Sequence, residues 1–148
     1  MRRAIIGATA AATLALAAGF SSAALASTTN ARHVTFTFLG ASVSSNENVY
    51  DVRGAGFRGA AIQIVKVNKA GTAGTDTATT YSGQGTIVSA DSFTLTPGTN
   101  GVVNITGSGH FVRGTGKYAH VSGHYTFAGT DNTTTHVIQV KATGTESY

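Results

Sequence analysis

Residues 114–127, "GTGKYAHVSGHYTF", contain three glycines, two histidines and three aromatic residues. Such a mixture is found in phosphate-binding loops, in metal sites and at tight connections between β-strands. The chain after residue 26 shows no convincing helical periodicity, so a helix N-terminus that could hold a phosphate is not predicted. We therefore interpret Gly114 and Gly116 as turn residues with positive φ between two strands.

The segments around this stretch alternate apolar and polar residues at period two, which is typical of strands. Upstream, "GVVNITGSGHFV" places Ile105 and Phe111 on one face, and "RHVTFTFLG" does the same for Val34, Phe36 and Phe38. Downstream, "HYTFAGT" and "THVIQVKATG" predict two strands joined by the turn "DNT". The other predicted strands are "NVYDVR", "FRGAAIQIVKVN" and the two halves of "TATTYSGQGTIVSADSFTLT".

This pattern gives about eight strands at roughly ten-residue spacing, with the segments "SSNEN" and "AGTAGTD" (residues 70–76) predicted as loops. The fold class is therefore all-β, either an eight-stranded closed antiparallel β-barrel or a β-sandwich. Several strands are apolar on both faces, which a closed barrel can use if one face lines the interior and neighbouring subunits cover the other. Closure also removes exposed strand edges.

The first 26 residues have the pattern of a secretory signal peptide. Arg2 and Arg3 precede the apolar run "AIIGATAAATLALAAGF", and the small-residue cleavage motif "ALA" ends at Ala26. Residues 1–26 are predicted to be cleaved, and residues 27–148 to form a single β-barrel domain that is secreted to the extracellular space. No later segment is apolar for long enough to cross a bilayer as a helix, so no membrane span is predicted.

Composition excludes several classes of function. Removing Arg2 and Arg3 lowers the net charge from +4 to +2, and the other basic residues form no run, so no nucleic-acid partner is expected. The chain has no cysteine, which excludes a disulfide scaffold and a cysteine nucleophile. No H-E-x-x-H pattern is present and no acid lies between His120 and His124, so neither a metal site nor a cofactor is predicted.

Residues 54–59, "GAGFRG", match the dinucleotide-binding pattern G-x-G-x-x-G, and Asp76 follows at about the distance of its acidic residue. That pattern requires a helix after the third glycine, whereas the following "AAIQIVKV" is short and β-branched. We expect these glycines to mark a strand kink or bulge instead.

Asp91 and His136 are the candidates for acid–base chemistry. Asp91, in "TIVSADSFTL", shares a predicted strand face with Ile87 and Phe93. A carboxyl group among apolar neighbours has a raised pKa and can act as an acid or base, unless the strand turns at "ADS" and exposes it. His136 is expected on the otherwise apolar face of the last strand with Ile138, either as a core residue or as a polar group lining a cavity.

Four residues are candidates for ligand binding: Tyr50, Arg53, Phe93 and Tyr118. Tyr50 and Arg53 belong to the polar cluster in "NVYDVR", which we place at a barrel rim, although a surface ion pair between Asp51 and Arg53 also explains it. Phe93 lies on the predicted interior face, and Tyr118 is expected to pack as an anchor beside the lumen.

The stretch "ITGSGHFVRGTGKYAHVSGHYTF" (residues 105–127) resembles the glycine motif of the allene oxide cyclase and dirigent β-barrel families. In that motif a strand enters Gly-Thr/Ser-Gly-Lys/Arg-aromatic, and a further glycine precedes the next strand. The segment "GFRGAAIQIVKVN" is similar to a long strand of the same families. The resemblance implies an eight-stranded antiparallel barrel with an apolar lumen, often assembled as a homotrimer. The matching positions are Gly114, Thr115, Gly116, Lys117, Tyr118 and Gly123.

Three functions remain open. The first is a secreted barrel that binds a small apolar molecule in its lumen. The second is a cyclase or isomerase of the allene oxide cyclase or dirigent type, which the resemblance implies works without a cofactor by shaping a reactive substrate, with Asp91 or His136 as acid–base groups. The third is a structural or interaction protein whose barrel is filled by its own side chains. A lumen with a cavity near ~300 Å³ would favour the first two.

Overall fold

The structure is a computed structural model that describes residues 31–148. The predicted signal peptide, residues 1–26, and the predicted domain boundary at residue 27 lie outside the described residues. In the part of the chain that the structure describes, no helix has the length and apolar character needed to cross a membrane.

Antiparallel strands make up the barrel, and each strand pairs with the next one along the chain. β8 also pairs with β1, from Glu146 opposite Arg32 to Val137 opposite Ala41, which closes the sheet. The predicted eight-stranded closed antiparallel barrel is therefore confirmed, and the alternative β-sandwich is wrong. The strands are β1 (Arg32–Ser42), β2 (Glu47–Gly54), β3 (Phe57–Val67), β4 (Ala73–Ser82), β5 (Gly85–Pro97), β6 (Val102–Gly114), β7 (Ser122–Asn132) and β8 (Val137–Ser147).

Side chains alternate between the lumen and the outer surface along the strands. In β1, Val34 and Phe36 are buried in the lumen, whereas Thr35 and Thr37 are exposed outside. The predicted interior face of that strand is confirmed.

The prediction of a loop at residues 70–76 is wrong in its second half. β4 begins at Ala73, and Asp76 lies inside this strand, opposite Val65 of β3 and Asp91 of β5. Pairing on both sides outweighs the low strand propensity of Gly74, and the threonines of this segment are β-branched and suit a pleated sheet. As a result, Asp76 is placed on the lumen wall.

The stretch at residues 114–127 connects β6 to β7 through a short 3₁₀ helix, Gly116–Tyr118. Gly116 has a φ of +59°, as predicted for a turn glycine. Gly114 has no positive φ, and that prediction is wrong; a Cβ at Gly114 would instead lie 2.1 Å from the carbonyl oxygen of Tyr118. The loop also packs on the β4–β5 turn, because the Lys117 N–H donates to the Gln84 carbonyl oxygen at 2.9 Å.

Aromatic side chains fill this end of the barrel, which we call the closed end. Tyr118 is 3% exposed, and its ring lies 5.7 Å from that of Phe57 and 5.0 Å from that of Tyr148, centroid to centroid. Arg32 Nε donates to Glu146 Oε1 at 2.9 Å and joins the first and last strands here. A cavity in the lumen must therefore open at the opposite end.

Residues 54–59 form the β2–β3 hairpin rather than the expected kink or bulge. β2 ends at Gly54 and β3 begins at Phe57, so Ala55 and Gly56 are the two turn residues, with φ of +52° and +77°. Positive φ at both positions is the type I′ arrangement, whose twist matches that of the flanking strands. A strand follows the third glycine, Gly59, where a dinucleotide-binding loop would need a helix.

We expect Ala55→Asn to stabilise the barrel by about 1 kcal/mol, because asparagine tolerates the left-handed region that is unfavourable for alanine. The measurement is the free energy of unfolding in urea. Ala119→Asn is the control, since Ala119 is exposed and has an ordinary φ of −56°, and it should change stability by less than about 0.5 kcal/mol. Equal effects at the two positions would contradict the turn assignment.

Candidate functional site

The lumen contains a cavity of about 210 Å³. It extends from Phe57 and Ile87, next to the closed end, to Ser44 and Asn46 in the β1–β2 loop at the opposite end. We call the end that carries this loop the open end. The interior is therefore not completely filled by the barrel's own side chains.

Glycines on the lumen face make room for large aromatic side chains on the neighbouring strands. Phe93 lies between Gly74 and Gly107 in the sheet, and Gly107 in turn lies opposite Phe127. A Cβ at Gly74 would lie 2.4 Å from Phe93 Cζ, and one at Gly107 would lie 2.4 Å from Phe127 Cζ. The rings therefore lie against the wall over glycine backbone, an alternation of small and large residues that suits a narrow barrel and leaves its centre open.

Two carboxyl groups interrupt this aromatic wall. Asp76 on β4 and Asp91 on β5 lie directly opposite each other, and both line the cavity; we call them the acid pair. Tyr125 Oη donates a hydrogen bond to Asp91 Oδ1 at 2.6 Å. Asp76 is only 5% exposed, and neither of its carboxyl oxygens has a hydrogen-bond partner among the described residues. One member of the pair is thus held in place and the other is unpartnered.

Burial raises the pKa of both members of the acid pair. For Asp91, burial is the largest cause and the neighbouring Asp76 the second, and they raise the pKa to about 8 although the Tyr125 hydrogen bond opposes them. For Asp76, burial again raises the pKa, while Asp91 and Gln63 lie close enough to moderate the rise. Two adjacent buried carboxyl groups do not both ionise readily, so the pair retains a proton near neutral pH.

A second polar group lines the cavity on β1, β2 and β3. Tyr50 Oη and Asn48 Nδ2 both donate to Gln63 Oε1 at 2.8 Å, and Ser42 Oγ donates to Asn48 Oδ1 at 2.8 Å. Burial, with a smaller contribution from Asp76, raises the pKa of Tyr50, so its hydroxyl stays protonated at neutral pH. These side chains are hydrogen-bonded to one another, in contrast to Asp76.

Three of the residues predicted from sequence line the cavity: Asp91, Phe93 and Tyr50. The shared face of Asp91 and Phe93 is confirmed, because β5 runs on to Pro97 and does not turn at "ADS". Among the acid–base candidates, Asp91 alone is positioned to contact a molecule in the lumen.

The other three predicted residues lie elsewhere. Arg53 is on the outer surface with a side chain that is 61% exposed, and it pairs with Asp51 at 2.7 Å, so the expected surface ion pair is confirmed. Tyr118 packs in the closed end and does not line the cavity. His136 precedes the first residue of β8, Val137, and is exposed in a turn with a φ of +58°, so its expected place on the apolar strand face is wrong.

Sequence reasoning missed Asp76 as a lumen residue, and with it the acid pair. The available signal was the period-two spacing of Asp76, Ala78 and Thr80, which face the lumen. With such small and polar side chains, however, the spacing does not distinguish the inner face of a strand from the outer one.

Comparisons with known proteins give no family to which the chain can be assigned: no protein-family model, curated protein or solved structure matches it. The likeness of residues 105–127 to the allene oxide cyclase and dirigent families therefore stays a prediction. Because one fold can carry many functions, a function has to be inferred from the residues of the lumen.

Proposed function

We propose that this barrel binds a small, mostly apolar molecule in its lumen. The observation that carries this proposal is the cavity itself, which has aromatic walls and a buried carboxyl group, Asp76, without a hydrogen-bond partner in residues 31–148. Ligand sites of this kind are largely apolar and contain a few polar groups that fix orientation. A barrel filled by its own side chains would not leave such a space.

The volume of the cavity limits the size of the ligand. At about 210 Å³ it is smaller than the roughly 300–1,000 Å³ of pockets for drug-sized molecules. It is larger than an apolar cavity of about 150 Å³, which is enough to bind benzene. The proposed ligand is therefore one aromatic ring with a short side chain, or an aliphatic molecule of similar size.

Isoleucine methyl groups provide a direct test, because the described chain places them on both sides of the wall. Ile87, Ile105 and Ile138 line the cavity, whereas Ile62 and Ile64 are exposed outside. In a methyl NMR titration with 2-phenylethanol, we expect saturable shifts for the three inner residues and unchanged shifts for the two outer ones. No saturable shift at the inner residues, or equal shifts at all five, would refute binding in the lumen.

A second candidate function is a cyclase or isomerase of the allene oxide cyclase or dirigent type. The acid pair favours it, because a carboxyl group that retains a proton near neutral pH can donate that proton to an oxygen atom of a bound substrate. Asp91 would be the donor, and Tyr125 would position it through the 2.6 Å hydrogen bond. His136 has no part in this chemistry, since it lies in an exposed turn.

Two further proposals concern the location of the protein and its assembly. Secretion is supported by the signal-peptide pattern of residues 1–26. Assembly as a homotrimer, which the resemblance implies, is supported by exposed apolar side chains on the outer faces of β1, β2 and β3. These are Leu39, Val49, Ile62 and Ile64.

A further inference from the structure

We propose that the acid pair, Asp76 and Asp91, binds the protonated amine of a small aromatic or aliphatic ligand. This inference rests on the proposed binding function of the lumen and specifies the chemical class of its ligand. It starts from Asp76, which is buried, lines the cavity and has two carboxyl oxygens to which no other described side chain donates a hydrogen bond. The proton that the pair retains can be shared with one of these oxygens, and the other still faces the cavity as a free acceptor. Because buried polar groups nearly always have a partner, this acceptor indicates a donor that comes from outside the chain.

The cavity supplies negative charge and no positive charge. Asp76, Asp91 and Asp131 line it, and within residues 31–148 no lysine, arginine or histidine does so. The basic side chains of Arg32 and Lys117 lie over the ring of Tyr148 at the closed end. A cationic ligand would therefore meet complementary charge in the lumen, whereas an anionic ligand would be repelled.

An ammonium group also fits the geometry of the wall. It carries three N–H donors and no acceptor, which matches a pair of carboxyl groups of which one is unpartnered. Phe93 lies two residues from Asp91 on the same strand face, and Phe127 stands in the same relation to Tyr125, so aromatic rings border the pair. Aromatic faces attract cations within about 6 Å of the ring centroid.

A metal ion fits the acid pair less well than an amine. Calcium takes about 6–8 oxygen ligands, and magnesium keeps near-octahedral coordination. In the described part of the chain, no group of three or more histidine, aspartate or glutamate side chains could hold a metal ion. An ammonium group needs only the two carboxyl groups that are present.

The test compares three probes that share a phenylethyl group and differ in the head group and its charge: 2-phenylethylammonium, 2-phenylethanol and 3-phenylpropanoate. Dissociation constants are measured at pH 7 from the methyl shifts of Ile105 and Ile138. We expect the ammonium compound to bind about tenfold more tightly than the alcohol, as for a charge-assisted hydrogen bond, and the carboxylate to bind more weakly than both.

Variants of the acid pair test whether these two residues cause the preference for the ammonium compound over the alcohol. In Asp76→Asn/Asp91→Asn, the ammonium compound should lose its advantage over the alcohol while the alcohol still binds. Asp51→Asn is the matched control, because Asp51 lies on the outer face and pairs with Arg53, and this variant should keep the full preference. For each variant, addition of 2-phenylethanol should shift the methyl signals of the isoleucines that line the cavity. These shifts show that the variant is folded and that its lumen is accessible.

The outcomes separate this inference from the proposed function. Equal affinities of the alcohol and the ammonium compound, or a preference that survives in the double variant, would overturn amine binding and leave the binding function intact. If none of the three probes shifts the inner isoleucines, both the binding function and the amine inference are wrong. A preference for 3-phenylpropanoate would overturn amine binding alone.

Discussion

Replacing Asp91 with asparagine is expected to stabilise the barrel by about 2 kcal/mol at pH 8, the scale for removing a buried charge without adequate partners. Asparagine keeps an oxygen that can accept the Tyr125 hydroxyl, and its Nδ2 can donate to the unpartnered carboxyl group of Asp76. The variant therefore removes the repulsion within the acid pair without leaving a cavity.

The sign of the pH dependence follows from the raised pKa of Asp91, about 8 in the folded protein against about 4 in the unfolded chain. The folded state binds the proton more tightly, so this stability is fully present below about pH 4 and is lost as the pH rises through about 8. The pKa of Asp76 is also raised and acts in the same direction. The other titratable groups that face the pair are Tyr125, Tyr50 and Asp131.

The melting temperatures of the parent protein, Asp91→Asn and Asp51→Asn should be compared between pH 4.5 and pH 8.5. We expect the parent to lose stability toward high pH, Asp91→Asn to show a flatter profile, and the exposed control Asp51→Asn to follow the parent. A profile for Asp91→Asn that runs parallel to that of the parent from pH 5 to pH 8 would show that the acid pair does not retain its proton.

Replacing Gly109 with alanine is expected to destabilise the barrel by about 3 kcal/mol, at the upper end for overpacking of a core. A Cβ at this position would lie 1.7 Å from Asp91 Oδ1 and 2.8 Å from Tyr125 Cζ, so both side chains would have to move. The backbone of Gly109 has no positive φ, and the effect would come from the side-chain contact alone.

Gly83→Ala is the matched control for this substitution, since Gly83 also lacks a positive φ and its Cβ would meet no atom of the described chain within 4 Å. Free energies of unfolding in urea measure both changes, and Gly83→Ala should fall within about 0.5 kcal/mol of the parent. Combining Gly109→Ala with Asp91→Ala should cost less than the sum of the two single changes, because Asp91→Ala removes the atom that clashes. Strict additivity would show that Gly109 and Asp91 do not share this space.

The fold was predictable where large apolar residues alternate, and the site was predictable only in part. In β1, Val34, Phe36 and Phe38 identify the inner face without ambiguity. In β4, Asp76 follows a glycine-rich segment typical of a loop, and its strand is set by pairing with β3 and β5 rather than by local propensity. The acid pair depends on the register of two strands, which the composition of neither strand specifies.

The positions of His136 and Arg53 in the structure have local causes. A shift of one residue in a strand boundary moves His136 from the apolar face to an exposed turn. Arg53 follows Val52 by one position, and the period of two places Arg53 outside while Val52 is buried inside. The local sequence does not specify where a strand ends, because strand ends depend on the pairing partner.

The pairing of β1 with β8 has a consequence for how the chain reaches this structure. Arg32 and Glu146 are 114 positions apart, so the contacts that close the barrel are among the most distant in the sequence. Long-range β pairing of this kind is intrinsically slow, because the entropy of closing a long loop is lost before the contacts form. Until β8 has paired with β1, the edges of the incomplete sheet stay free to pair with other chains, and in this interval the protein is exposed to aggregation.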